Sequence, residues 1–132
     1  MCKLTAEELK LAGYEIKEEE VIVASTGVIG QILPIEPIAN SMKELVAGLS
    51  YEGNAKAANA IMTTDTVMKE YAVKFFVDGE ECVLGGMAKG SGMIHPNMAT
   101  TLNFVTTDVY IDAGLLQKAL SEIVKVTYNC LS

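Results

Sequence analysis

Tryptophan is absent, histidine occurs once, and cysteine occurs three times in 132 residues. Each scarcity removes a class of protein. Cys2, Cys82 and Cys130 are odd in number and far apart, without a Cys-x-x-Cys pair. They read as reduced thiols of a cytosol rather than a disulfide framework. With His95 as the lone histidine, a structural zinc site is not expected, and no metal is assigned. No apolar run approaches the ~20 residues that span a bilayer, so no membrane partner is expected. The opening MCKLTAEELK has no basic stretch followed by an apolar one, so no signal peptide is expected there. Basic clusters are also missing, and the net charge is −7. Nucleic acid is therefore not expected as a partner.

What the chain has is apolar residues and glycine. The hydrophobic share is 50% with glycine uncounted, above the usual composition. Either the core is dense or apolar surface is meant to meet more protein. Thr5-Ala-Glu-Glu8 has capping-box spacing, and Gly13 can end the helix it starts. Glu18 to Glu20 is a solvated charge run. Val21 to Ala24 reads as a short apolar strand running into Ser25-Thr-Gly-Val-Ile-Gly30. Such a strand end can present backbone N–H groups to a ligand, or be a plain turn. Pro34 and Pro37 bracket a helix start. Ile35, Ile38, Met42, Leu45, Val46 and Leu49 then keep helical spacing and mark a face to bury.

Asn54 to Ile61 is helical by alanine content. Met62-Thr-Thr-Asp-Thr66 after it reads best as a helix terminator with local side-chain hydrogen bonds. Tyr71–Val77 and Cys82–Leu84 are expected strands, with Asp78-Gly79 as a hairpin signal. Cys82 in its strand reads as core packing. Gly85 to Thr101 (GGMAKGSGMIHPNMATT) is expected to be a glycine-rich site loop. Leu102 to Val105 is expected to be a strand. Asp112 can cap a last helix, whose apolar face is Leu115, Leu116, Ala119, Leu120, Ile123 and Val124. Strands and helices mix without strict βαβ alternation, so the fold class is α+β, in mixed layers, within one partial domain spanning 1–132.

The glycine-rich span invites three chemistries. A phosphate loop would need Gly-Lys-Ser/Thr opening a helix; here the order is Lys89-Gly-Ser, and Pro96 follows shortly. His95 against Pro96 reads as an ordinary loop histidine, since no triad can be assembled from local order. Thr100 is the third. A threonine hydroxyl becomes a good nucleophile beside a base, and its own free α-amino group is one. That group exists only if the Ala99–Thr100 bond is cut. Attack of the threonine oxygen on the Ala99 carbonyl, then ester hydrolysis, would cut it.

Ser25-Thr-Gly-Val-Ile-Gly30, Ile61-Met-Thr-Thr-Asp-Thr66, and Gly85 to Ile94 with Pro96-Asn-Met-Ala-Thr100 resemble the ornithine acetyltransferase family. These are the glutamate N-acetyltransferases of arginine biosynthesis, and the resemblance covers essentially the whole chain. It implies self-cleavage between Ala99 and Thr100. It also implies a ping-pong transfer of acetyl from N-acetylornithine to glutamate through an acetyl ester on Thr100. Thr26 and Gly27 match the oxyanion hole. Thr63 and Lys89 match substrate-contacting positions, with Thr64 the alternative to Thr63. No cofactor is implied, although some members accept acetyl-CoA as donor. The implied setting is a cytoplasmic oligomer of cleaved α and β chains, in an N-terminal-nucleophile fold. Thr101 stands where the family places methionine. A family glutamate and a C-terminal Asn and Thr have no counterpart, so the chain reads as a central segment needing the rest of the enzyme, with little activity alone. Two other classes stay open: a self-processing N-terminal-threonine aminopeptidase, and a non-catalytic module whose glycine loop holds an anion.

Overall fold

A computed structural model describes residues 1–90 and 101–130. These fall into two compact units, 1–53 and the remainder from Asn54 onward.

The first unit pairs two helices, α1 (Cys2–Leu11) and α2 (Glu36–Ala47). Helix α1 starts a turn earlier than the Thr5 cap predicts. Thr5 lies inside it, and its hydroxyl donates back to the Met1 carbonyl at 3.2 Å, the bond a mid-helix threonine makes when a carbonyl four residues back is in reach. Its end is as expected: Gly13 takes φ 91°, the Tyr14 N–H bonds Leu9 O and the Gly13 N–H bonds Lys10 O. That pair of bonds satisfies carbonyls the helix leaves open. Ala6 of α1 and Met42 and Val46 of α2 form the buried contact, with the Thr5 hydroxyl 3.6 Å from Met42 Sδ. Pro37 sits in the first turn of α2, where its missing N–H costs nothing. Ile35, Leu45 and Leu49, expected on the buried face, are exposed.

Glu18–Glu20 is an exposed 3-10 turn. Val21 to Ala24 is not a strand: the backbone from Val21 to Val28 carries no regular structure, and Ile22 is 92% exposed. A strand needs a neighbour for its N–H and C=O groups. The described residues of this unit contain no other strand to supply one.

The second unit opens with α3 (Asn54–Ala60), which buries Ala58. A three-stranded antiparallel sheet follows in the order β1 (Lys69–Val77), β2 (Glu80–Lys89), β3 (Leu102–Thr107). Asp78 and Gly79 at φ 51° and 88° make the two-residue turn whose twist matches the strands it joins. Strand β2 runs five residues beyond its expected end. Gly85 to Ala88, read as loop from their glycines, pair on both sides, with Gly86 opposite Tyr71 and Val105, and Lys89 pairs with Leu102 alone. A Cβ on Gly86 would stand 3.2 Å from the Phe104 carbonyl oxygen, so the glycine serves close strand approach rather than loop freedom. Tyr71, Val73, Leu84 and Val105 share one face, and Ala72, Met87 and Phe104 the other. The sheet is thus apolar on both sides.

Helix α4 (Ala113–Ile123) begins where Asp112 predicts, its carboxylate accepting from the Leu115 N–H at 3.0 Å. Its apolar face forms but is not buried; Leu115, Leu116, Leu120 and Ile123 stay exposed, and only Val124 beyond it is buried. The described residues thus form helices and an antiparallel sheet, an α+β arrangement. None of these helices is long and apolar enough to cross a membrane.

Candidate functional site

The far end of β2 meets the polar turn after α3. Because β1 and β2 are antiparallel, the hairpin brings Ala88, near the end of β2, opposite Lys69, where β1 begins. The turn carrying Thr63 to Thr66 leads into β1, so Thr63 and Lys89, 26 positions apart, come together. The Lys89 ammonium lies 3.4 Å from the Thr63 hydroxyl oxygen. Thr64 is exposed and shares no described hydrogen bond with the lysine. Among the described residues Lys89 forms no ion pair, whereas Lys69 and Lys74 pair with Asp65 and Glu81.

Asp65 holds this corner. Its side chain is only 2% exposed. Oδ1 accepts from the Lys69 ammonium at 2.5 Å and from the Gly90 N–H at 2.7 Å; Oδ2 accepts from the Thr63 N–H at 3.2 Å. These bonds favour the charged form, so the carboxyl is pulled from 3.8 to about 2, first by Lys69 and then by the Gly90 and Thr63 N–H groups, against a smaller upward push from burial. Gly90 has to be small here, since a Cβ would fall 2.6 Å from Asp65 Oδ1. On the other side of β2, the Thr101 hydroxyl donates to the Lys89 carbonyl at 2.5 Å. Of the two flanks of the glycine-rich span, Gly90 is therefore anchored by Asp65 and Thr101 by the Lys89 carbonyl.

Thr26 and Gly27 lie in the exposed segment of the first unit that follows α1. A Cβ on Gly27 would meet nothing within 4 Å. Ala99 and Thr100, the expected cleavage pair, and His95 fall outside the described residues. The structure thus brings Thr63 and Lys89 together and leaves Thr26 and Gly27 in the other unit.

Sequence reasoning missed two members of this corner. Asp65 was visible as a local hydrogen-bonding residue, and it does bond Thr63 two positions back. Its bond to Gly90, 25 positions on, had no local signal. Lys69 could have been flagged by its position four residues after the aspartate. Apolar grooves of about 370 Å³ and 710 Å³ lie over the two faces of the sheet, and neither is lined by Thr63 or Lys89. The candidate site is an open corner at the sheet's edge.

A hydroxyl beside an ammonium that forms no ion pair among the described residues, positioned by the carboxylate of half-buried Asp65 where the glycine-rich span begins, suits a protein that grips a small anionic molecule. The chain belongs to the ArgJ family, whose model matches residues 1–132. It is 50% identical over 132 residues to the arginine biosynthesis bifunctional protein ArgJ of Caldanaerobacter subterraneus subsp. tengcongensis, covering all of this chain and 32% of that protein. It is 49% identical over 132 residues to ArgJ 1 of Clostridium acetobutylicum, covering 31% of it. With ArgJ of Halalkalibacterium halodurans the identity is 51% over 116 residues, 88% of this chain and 28% of that protein. The chain spans about a third of the length of these relatives.

Proposed function

We propose that this chain is the central segment of a glutamate N-acetyltransferase of arginine biosynthesis, using Thr100 as nucleophile after cleavage of the Ala99–Thr100 bond. Family membership supports the chemistry, and the 3.4 Å approach of Lys89 to Thr63 is the observation that carries the site. The Lys89 ammonium takes the carboxylate of the amino-acid substrate, and the Thr63 hydroxyl completes the contact.

In the first half-reaction the Thr100 hydroxyl oxygen attacks the acetyl carbonyl of N-acetylornithine while the free α-amine of Thr100 takes the hydroxyl proton. An α-amine titrates near ~8, so it is available as a base at neutral pH. The Thr26 hydroxyl and the Gly27 N–H receive the developing oxyanion, where one such donor is typically worth ~3 kcal/mol. Collapse expels ornithine, whose nitrogen takes up the proton, and leaves acetyl on Thr100. Glutamate's amine then attacks the ester through the same oxyanion hole, giving N-acetylglutamate and restoring the threonine hydroxyl. No cofactor is required, and acetyl-CoA is an alternative donor to the same ester. The reaction is placed in the cytoplasm, in an oligomer of cleaved α and β chains. The remaining segments of the enzyme complete an N-terminal-nucleophile fold, and the chain alone turns over little substrate.

The test is intact mass under denaturing conditions beside a Thr100→Ala control, followed by incubation with N-acetylornithine. Two pieces divided at Ala99–Thr100, absent from the control, and a 42 Da gain on the Thr100 piece on the order of one acetyl per chain are the expected results. Cleavage with release of free acetate and no retained acetyl would favour the hydrolase. An uncut chain, both alone and with its flanking segments restored, would refute the assignment of Thr100.

A further inference from the structure

Two cations and one carboxylate share the corner at the end of β2. An unpaired Asp65 would be the natural partner of Lys89, because both reach Thr63 and opposite charges attract at a partly buried site. That partnership is pre-empted. Lys69 contacts Asp65 Oδ1 at 2.5 Å and also donates to the Val67 carbonyl at 3.3 Å, so the cation is seated by its own loop. The bonds Asp65 accepts from backbone come from Thr63 and Gly90, residues that are, or adjoin, the proposed substrate contacts. A side chain at position 90 would break this closeness.

We propose that Asp65 and Lys69 are a positioning pair for carboxylate recognition: Asp65 fixes the backbones of Thr63 and Gly90 so that Lys89 meets the Thr63 hydroxyl, and Lys69 neutralises Asp65 so that Lys89 keeps its charge for the substrate. The inference rests on the reading of Thr63 and Lys89 as substrate contacts. Neither Asp65 nor Lys69 touches substrate in it. Removing the Lys69 charge should turn the Lys89 ammonium towards Asp65 and away from an incoming carboxylate. Arginine at 69 keeps the charge and should restore most of the binding.

The test uses the chain with its flanking segments restored and residues 1–132 isotope-labelled, titrated with L-glutamate and with N-acetyl-L-ornithine while the Thr63, Lys89 and Gly90 amide resonances are followed. Lys89→Met should abolish binding. Lys69→Met and Asp65→Asn should each weaken it about tenfold, the scale of one charge-assisted contact, and Lys69→Arg should recover it. A separate acid titration reads the pair without ligand: the Thr63 and Gly90 amides should shift near pH 2, and not in Asp65→Asn. Binding lost in Lys89→Met but unchanged in Lys69→Met and Asp65→Asn would overturn the positioning pair and leave the substrate contacts standing. Absence of binding in the wild type, or undiminished binding in Lys89→Met, would overturn the substrate reading and the inference with it, even with the amides titrating as expected. Amides that titrate near pH 4 would overturn the pair alone. Should Asp65→Asn fail to fold, the Lys69→Met and Lys69→Arg comparison decides, since that side chain is half exposed and its loss leaves no cavity.

Discussion

Three glycines on one strand and its end should respond to alanine in a fixed order. At Gly85 the new Cβ would lie 4.0 Å from Ala72 Cβ and 4.0 Å from Thr106 Oγ1, ordinary contact. The lost flexibility of the unfolded chain is worth ~0.4–1 kcal/mol in favour of alanine, so Gly85→Ala should be neutral or slightly stabilising. At Gly86 the Cβ meets the Phe104 carbonyl oxygen at 3.2 Å and Val105 Cγ2 at 3.5 Å. A backbone oxygen in a paired strand yields only by moving β3, which places the cost at ~1 kcal/mol, the low end of overpacking. At Gly90 the Cβ falls 2.6 Å from Asp65 Oδ1, far inside the ~3.5 Å at which non-bonded heavy atoms settle. The carboxylate must retreat, and in doing so it leaves the Gly90 N–H without its acceptor. Overpacking together with a lost hydrogen bond comes to ~2–3 kcal/mol. The assay is urea unfolding read by amide resonances of β1 to β3, which reports this unit without assuming that the whole chain unfolds in one step. With the urea dependence of a small domain, ~1–3 kcal/mol per molar, Gly90→Ala should lower the midpoint by about 1 M. Gly86→Ala should lower it by less, and Gly85→Ala not at all. Equal midpoints for Gly90→Ala and Gly85→Ala would refute the placement of the Asp65 carboxylate against position 90.

The depressed Asp65 carboxyl contributes stability that is fully present above its unfolded value near 4 and is lost as pH falls through about 2; an acid-unfolding curve of the same strands should lose its limb between those values in Asp65→Asn, and an unchanged curve would count against the Asp65 contacts with Lys69, Gly90 and Thr63. Asp112→Ala removes the only side-chain cap of α4 and should cost about 1 kcal/mol of local helix stability, seen as faster hydrogen exchange at Leu115 and Leu116. Gly79→Val forces a β-branched residue to φ 88° and should disrupt the β1–β2 hairpin, measured as loss of the cross-strand contact between Phe76 and Glu81; an intact contact would argue for another turn.

Legibility followed the range of the interaction that fixes each feature. The Gly13 helix end, the Asp78-Gly79 turn and the Asp112 cap are each settled within a few residues, and each stands where its pattern put it. Val21 to Ala24 has strand composition, yet a strand is a relation between two segments, and the composition of one cannot supply the other. Gly85 and Gly86 misled for a related reason. Glycine marks either conformational freedom or close approach, and only the Phe104 carbonyl on the next strand tells which applies. Thr63 and Lys89 came from motif resemblance rather than from local physics, and their meeting depends on the hairpin register.

The register also explains why one aspartate can govern two distant motifs. Pairing Val77 with Glu80 fixes that Lys69 falls opposite Ala88, eight residues along each strand from the turn. A one-residue slip would send the side chains of β2 to the opposite face. It would carry Lys89 away from Thr63 and Gly90 away from Asp65 together. The tight turn at Asp78-Gly79, far along the sheet from the candidate site, is thus part of what assembles it. The cross-strand pair of Lys74 with Glu81 at 2.7 Å favours the same register, though an exposed pair of this kind adds well under ~1 kcal/mol. Position in the site is set by the backbone ladder, and charge in the site is set by Lys69 against Asp65. The two can be told apart: turn substitutions should move Thr63 and Lys89 apart and also take the Gly90 N–H from Asp65, so the titration shifts together with the ladder, whereas Lys69→Met should shift the titration and leave the ladder in place.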